Sequence, residues 1–101
     1  MEKLGLLVML EAGPGMAAEL EAFLASALPM AEAEPETVGW YAFRLGPNSF
    51  GIFDTFADQA GRDAHLAGAI AKALFTRAEA LLVEPPTVVK AEILAGKSRH
   101  R

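Results

Sequence analysis

Two residues in the stretch Phe50 to Leu66 have side chains that could do chemistry together. Asp54 lies inside an otherwise apolar run, and His65 is the only histidine outside the C-terminal tail. An imidazole titrates near neutrality and can remove a phenolic proton, while a carboxylate can orient that imidazole or hold a substrate hydroxyl. We therefore predict His65 and Asp54 as catalytic residues. The alternatives are a histidine that caps or packs a helix, and an aspartate satisfied by Tyr41 or by the backbone.

The hairpin that precedes His65 is rich in aromatic residues. They are Trp40, Tyr41, Phe43, Phe53 and Phe56. Small-molecule sites are mostly apolar with a few polar groups, so these rings are candidates to line a pocket for a flat aromatic ligand. The same rings could instead form core. Arg44 could pair with an anionic substrate or with a carboxylate of a partner subunit.

Other patterns point away from phosphate and metal sites. The sequence Gly13-Pro14-Gly15 lacks the Lys-Ser/Thr of a phosphate loop and is interpreted as a turn. The acidic residues Glu32, Glu34 and Glu36 have no turn-forming Asp/Gly loop around them, so we expect a solvated edge and assign no metal. The chain has no cysteine, which excludes disulfides, thiolate metal sites and a cysteine nucleophile.

Composition indicates one soluble domain with an acidic body. The 101 residues carry a net charge of -4, and three of the nine basic residues lie in the last five positions, which argues against nucleic acid as a partner. The apolar run Leu4 to Leu10 is too short for a membrane span and poor as a signal peptide. We expect a cytoplasmic protein that consists of a domain over residues 1–96 and a polar tail over 97–101.

Periodicity predicts the elements that must position these side chains. Strands are expected over Leu4–Glu11, Thr37–Leu45, Phe50–Phe56 and Thr87–Ala95, with the first central and the last at an edge. Helices are expected over Met16–Leu28, from the cap Asp58 through His65, and over Ala69–Leu82 after a break at Gly68. This order is typical of an α+β, ferredoxin-like βαββαβ sandwich with a four-stranded antiparallel sheet.

Two consequences follow from that arrangement. If residues 46–49 form the hairpin turn, Leu45 pairs with Phe50 and Tyr41 lies opposite Asp54. The first and third strands are apolar on both alternating sets, yet two helices can cover only one face of the sheet. We therefore expect a second copy of the chain to cover the other face in a homodimer.

Nearly the whole chain resembles the antibiotic biosynthesis monooxygenases, including quinol-monooxygenase-like members, of the dimeric α+β barrel superfamily. The resemblance is carried by GLLVMLEAGPGMAAELEAFL, EPETVGWYAF and FGIFDTFADQAGRDAHL. It implies a cofactor-independent monooxygenase in which His65 deprotonates a small aromatic or quinol substrate, with Asp54 and Tyr41 fixing its geometry. The substrate-binding residues would be Tyr41, Trp40, Phe53, Phe56 and Arg44.

The chain departs from that family at the positions that haem-degrading members use. Phe56 stands where the family usually has tryptophan, and the first strand has no asparagine. We therefore expect no haem and no other cofactor. The alternative function is a non-catalytic dimeric module that binds a hydrophobic small molecule. An RNA-binding domain is disfavoured, because the third strand lacks the basic and glycine-rich aromatic motif that stacks bases.

Overall fold

The computed structural model describes residues 2–97, which fold into four strands and four helices. In chain order these are β1 Leu4–Glu11, α1 Ala17–Ser26, α2 Leu28–Glu32, β2 Thr37–Arg44, β3 Ser49–Phe56, α3 Gln59–Leu66, α4 Ala69–Leu81 and β4 Thr87–Glu92. The predicted first helix is divided at Ala27, because Pro29 is tolerated in the first turn of a new helix, α2, and not inside α1.

The sheet has the order β2-β3-β1-β4, and every neighbouring pair is antiparallel. β1 is therefore central and β4 is an edge strand, as predicted. The sequence of elements and the strand order together are those of the ferredoxin-like sandwich, which confirms the predicted fold class. None of the helices within residues 2–97 has the length and apolar character to cross a membrane.

The helices cover one face of the sheet. Leu6, Val8 and Leu10 of β1 alternate towards this face and are buried with Phe50 and Ile52 of β3. Side chains of α1 and α4 complete the core; they include Leu20, Leu24, Leu74 and Leu81. Asp54 and Phe56 continue the same alternation, so the fold directs Asp54 towards the helices and away from the opposite face.

The opposite face, which we call the open face, carries apolar side chains that this chain does not cover. Tyr41 is 61% exposed and Val89 is 46% exposed. The ring of Phe43 lies over Gly51, where an added Cβ would meet it at 2.5 Å, and the ring of Phe53 lies over Gly5 at 3.0 Å. Because glycine leaves room above the backbone, both rings can lie along the sheet, and the open face is flat and apolar.

The register of the β2–β3 hairpin differs from the prediction by one residue. Arg44, and not Leu45, pairs with Phe50, while Ser49 already belongs to β3, where it pairs with Glu11 of β1 and donates its Oγ–H to that carboxylate. The loop is thus residues 45–48 and not 46–49. A slip of one residue turns every side chain of a strand to the other face. The predicted placement of Tyr41 opposite Asp54 was therefore wrong.

The predicted C-terminal tail falls mostly outside the part of the chain that the structure describes. Lys97 is exposed, and residues 98–101 lie beyond the described range.

Candidate functional site

Asp54 is a buried carboxylate at the centre of the helix-covered face. Its side chain is 1% exposed, and its neighbours across the sheet are Leu6 on β1 and Trp40 on β2. Among residues 2–97, its Oδ1 and the indole Nε1 of Trp40 have no hydrogen-bond partner although both atoms are buried. Buried polar atoms without partners are rare in folded proteins. Within the described residues, Oδ1 of Asp54 is thus a buried acceptor without a donor, while Oδ2 faces His65.

The helix α3 brings His65 to Asp54. Asp58 begins the helix by accepting the N–H of Gly61 at 2.9 Å on its Oδ1, which confirms the predicted cap. Near the end of the helix His65 is 8% exposed, and its Nε2 forms an ion pair with Oδ2 of Asp54 at 2.8 Å. The ring of Phe56 packs on the imidazole, with centroids 5.3 Å apart. The two residues predicted as catalytic are thus brought together.

Glu34 is a third member of this group, and sequence reasoning missed it. Its Oε1 lies 2.7 Å from Nδ1 of His65 and also accepts the hydroxyl hydrogen of Thr37 at 2.7 Å. Glu32 and Glu36 are exposed, as expected of a solvated acidic edge, but the side chain of Glu34 is only 20% exposed. No sequence signal distinguishes Glu34 from its two neighbours, because its partner is 31 residues away.

A carboxylate faces each ring nitrogen of His65. Burial lowers the pKa of His65, but the hydrogen bonds to Asp54 and then Glu34, with the negative charges of both, outweigh it and raise the pKa above its usual 6.5. Below this raised pKa the ring is an imidazolium that donates from Nδ1 to Glu34 and from Nε2 to Asp54. In that state neither ring nitrogen is available to accept a proton from a substrate.

A small apolar cavity lies beside this ion pair, between the sheet and the helices α3 and α4. Its volume is about 30 Å³, which is room for a molecule the size of water or dioxygen but not for an aromatic ring. Besides Asp54 and His65, it is lined by aliphatic side chains of β1, β3, α3 and α4, with Phe75 and Val88. These last two are 55% and 39% exposed, so they mark where the cavity approaches solvent.

The remaining predicted site residues are divided between the two faces of the sheet. Trp40 is half-buried on the helix-covered face, where it packs against the core, whereas Tyr41 and Phe53 lie on the open face. Arg44 is at the far end of the hairpin from Asp54. It forms an exposed salt bridge with Glu21 at 3.0 Å, and its guanidinium lies over the ring of Phe50.

No cluster of metal-ligating side chains occurs within residues 2–97. The hydrogen-bonding groups without a partner at this site are a carboxylate oxygen and an indole N–H. An acceptor and a donor side by side suit a ligand with a hydroxyl and not a metal ion. The arrangement can accept a proton at Asp54 and place a positive charge behind it at His65.

Comparisons with known proteins support the fold. No protein-family model and no curated protein matches the chain. Among solved structures, a protein of unknown function from Nitrosomonas europaea is 54% identical and superposes with a TM-score of 0.97, the match covering 100% of this chain and 98% of that one.

Two further solved structures are named as candidate antibiotic biosynthesis monooxygenases. One, from Nitrosomonas europaea, has a TM-score of 0.81 at 13% identity over 91% of this chain and 99% of that one. The other, from Bacteroides thetaiotaomicron, has a TM-score of 0.78 at 19% identity over 99% of this chain and 97% of that one. At such identities the likeness is one of fold.

Proposed function

Because this chain belongs to the same family as the Nitrosomonas europaea protein of unknown function and has the fold of the antibiotic biosynthesis monooxygenases, we propose that it is a cofactor-independent monooxygenase. Its substrate would be a small aromatic phenol or quinol, and its oxidant molecular oxygen. The observation that carries this proposal is the buried Asp54–His65 ion pair, which leaves Oδ1 of Asp54 free beside an apolar cavity.

Asp54 would be the group that takes the proton. The resemblance to known monooxygenases assigned that step to His65, but both ring nitrogens of His65 already face carboxylates. A phenol placed at the cavity would pass its proton to Oδ1 of Asp54, and the imidazolium would stabilise the phenolate that remains. The reaction with oxygen then needs no further reductant. One oxygen atom forms a new carbonyl on the ring, the other leaves as water, and the substrate supplies all the electrons.

Substrate entry requires a conformational change at the mouth of the cavity. Ligand pockets for small molecules have volumes of roughly 300–1,000 Å³, whereas this cavity has about 30 Å³. Phe75 on α4 and Val88 on β4 are the exposed members of its lining, and β4 is an edge strand. We propose that α4 moves away from β4 to admit the ring, and that its return excludes water from the ion pair.

Oxygen uptake with a panel of hydroquinones and polycyclic phenols tests this function. We expect turnover that falls by roughly 10²–10⁴-fold in Asp54→Asn, as for loss of a general base. The matched control is Asp63→Asn, which changes an exposed carboxylate on α3 and should retain wild-type turnover. Unchanged turnover in Asp54→Asn would remove Asp54 from the mechanism.

The apolar lining of the cavity also suits a second function, a non-catalytic module that binds a hydrophobic small molecule after the same opening of the cavity. Trp40 is the only tryptophan and lies opposite Asp54, so its fluorescence reports binding at the site. Saturable binding of an aromatic probe without oxygen consumption by any substrate in the panel would favour this function over the monooxygenase.

We further propose that the open face is covered by a second copy of the chain. The support is the flat apolar surface made by Phe43 and Phe53 with the exposed Tyr41 and Val89. Analytical ultracentrifugation at micromolar concentration should give a dimer for the wild type and a monomer for Val89→Asp. Leu94→Asp is the control, because Leu94 is 93% exposed and lies outside the strands. A wild-type monomer would contradict the proposal.

A further inference from the structure

Asp54, His65 and Glu34 form an ion cluster, and Glu34 is the one member to which the proposed chemistry gives no role. Its carboxylate is held from two sides, by Nδ1 of His65 and by the hydroxyl of Thr37, both at 2.7 Å. Its Oε2 lies next to Gly68, where an added Cβ would come within 3.1 Å of it. The Glu34 carboxylate therefore makes two hydrogen bonds through Oε1 and has little free space beside Oε2, so its position is fixed more closely than that of a solvated surface glutamate.

The proton between His65 and Asp54 has two alternative positions. In one, the imidazole carries both N–H hydrogens and Asp54 is a carboxylate. In the other, the proton lies on Asp54, which donates it to Nε2 of a neutral imidazole. The pair has zero net charge in both states, but separated charges are less stable at low dielectric, so burial alone favours the second, neutral state. Only the first state leaves Asp54 able to accept a substrate proton.

We propose that Glu34 is a positioning residue that selects the first state. Its negative charge at Nδ1 stabilises the imidazolium, and its oxygen fixes the ring so that Nε2–H points at Oδ2 of Asp54. Oδ1 of Asp54 then remains an ionised, unoccupied acceptor facing the cavity. This inference rests on the proposed function, since it explains how Oδ1 of a buried Asp54 stays available to a substrate.

No other charged group near the site can replace Glu34. β3 contributes Asp54 itself, and α4 presents only apolar side chains to the cavity. Arg62, one turn before His65 on α3, directs its Nη1 to the carbonyl oxygens of Gly5 and Ala91. On β4, Lys90 lies opposite Leu6 on the same face of the sheet, but its side chain is exposed and cannot supply a negative charge. Within residues 2–97, the carboxylates that contact His65 are those of Glu34 and Asp54.

Nitrogen NMR of histidine-labelled protein tests the inference without any substrate. At neutral pH we expect both ring nitrogens of His65 to be protonated in the wild type, with the signal assigned by its loss in His65→Gln. In Glu34→Gln, which keeps the size and the hydrogen-bonding oxygen, one ring nitrogen should become unprotonated. Glu34→Asp retains the charge and should restore double protonation. Glu32→Gln, which removes an exposed charge nearby, should leave the spectrum of the wild type.

The kinetic counterpart is a loss of turnover with little change in KM. In Glu34→Gln we expect kcat to fall and the pH profile to shift, whereas Glu34→Asp should recover most of the rate. If His65 stays doubly protonated in Glu34→Gln, the inference is wrong whether or not the protein turns over a phenol. If the NMR result is as expected but no substrate consumes oxygen, the proposed function fails and the role of Glu34 in setting the charge of His65 stands.

Discussion

Raising the pH should destabilise the folded protein through His65. The pKa of His65 is raised in the folded state by Asp54 and Glu34, against the opposing effect of burial, while in the unfolded chain it returns to about 6.5. Folding therefore binds a proton between these two pKa values. The stabilisation that this provides is complete below about pH 6.5 and is lost as the pH rises through the folded-state pKa.

The magnitude follows from linkage. Within that window the folded state holds one proton that the unfolded state has released, so the free energy of unfolding falls by about 1.4 kcal/mol for each pH unit. The total loss is about 1.4 kcal/mol for each pH unit by which the folded-state pKa exceeds 6.5. Because His65 is only 8% exposed, salt should screen this effect weakly.

Urea denaturation at a series of pH values between roughly 5.5 and 9.5 measures this effect. Other groups titrate in the same range, so the quantity to compare is the difference in free energy of unfolding between the wild type and His65→Gln, which keeps His100. We expect that difference to be constant at the acid end and to shrink with rising pH. A difference that is flat throughout, or that grows with pH, would refute the assignment of His65 as a buried imidazolium.

Two further predictions concern the scaffold that holds the site. Gly51→Ala should lower the free energy of unfolding by about 1–3 kcal/mol, because its Cβ would meet the ring of Phe43 at 2.5 Å. Gly46→Ala is the control and should have little effect, because nothing lies within 4 Å of an added Cβ there. Equal urea midpoints for the two variants would contradict the packing described. Asp58→Ala should cost about 1 kcal/mol through loss of the α3 cap, and a thermal midpoint equal to the wild type would show that the bond to Gly61 contributes nothing.

Much of the fold was predictable because its signals are local. Three predicted features each depend on residues that are close together in the sequence, and the structure confirms them: the bounds of β1, the cap at Asp58 and the break at Gly68. The hairpin register was not predictable in the same way. Ser49 looks like a turn residue, and only its pairing with Glu11 of β1, which is distant in sequence, makes it part of β3.

The site likewise contains residues that the sequence alone singles out and residues that only the fold identifies. Asp54 was visible in the sequence because a carboxylate is rare in an apolar strand, and His65 because it is the only histidine outside the tail. Glu34 could not be distinguished, since three alternating glutamates look alike until the fold places one of them against His65. Trp40, and not Tyr41, lies opposite Asp54, because the hairpin register differs from the predicted one by one residue.

The ion cluster also bears on how the native state forms and how long it lasts. Its members come from the loop before β2, from β3 and from α3, and Glu34 and His65 are 31 residues apart. Contacts of such separation carry a large loop-closure cost, so we expect the cluster to form late, after the folding transition state. Substitutions at Glu34 or His65 would then speed unfolding and leave the folding rate nearly unchanged. The residues proposed here for chemistry would thus also set the lifetime of the folded protein.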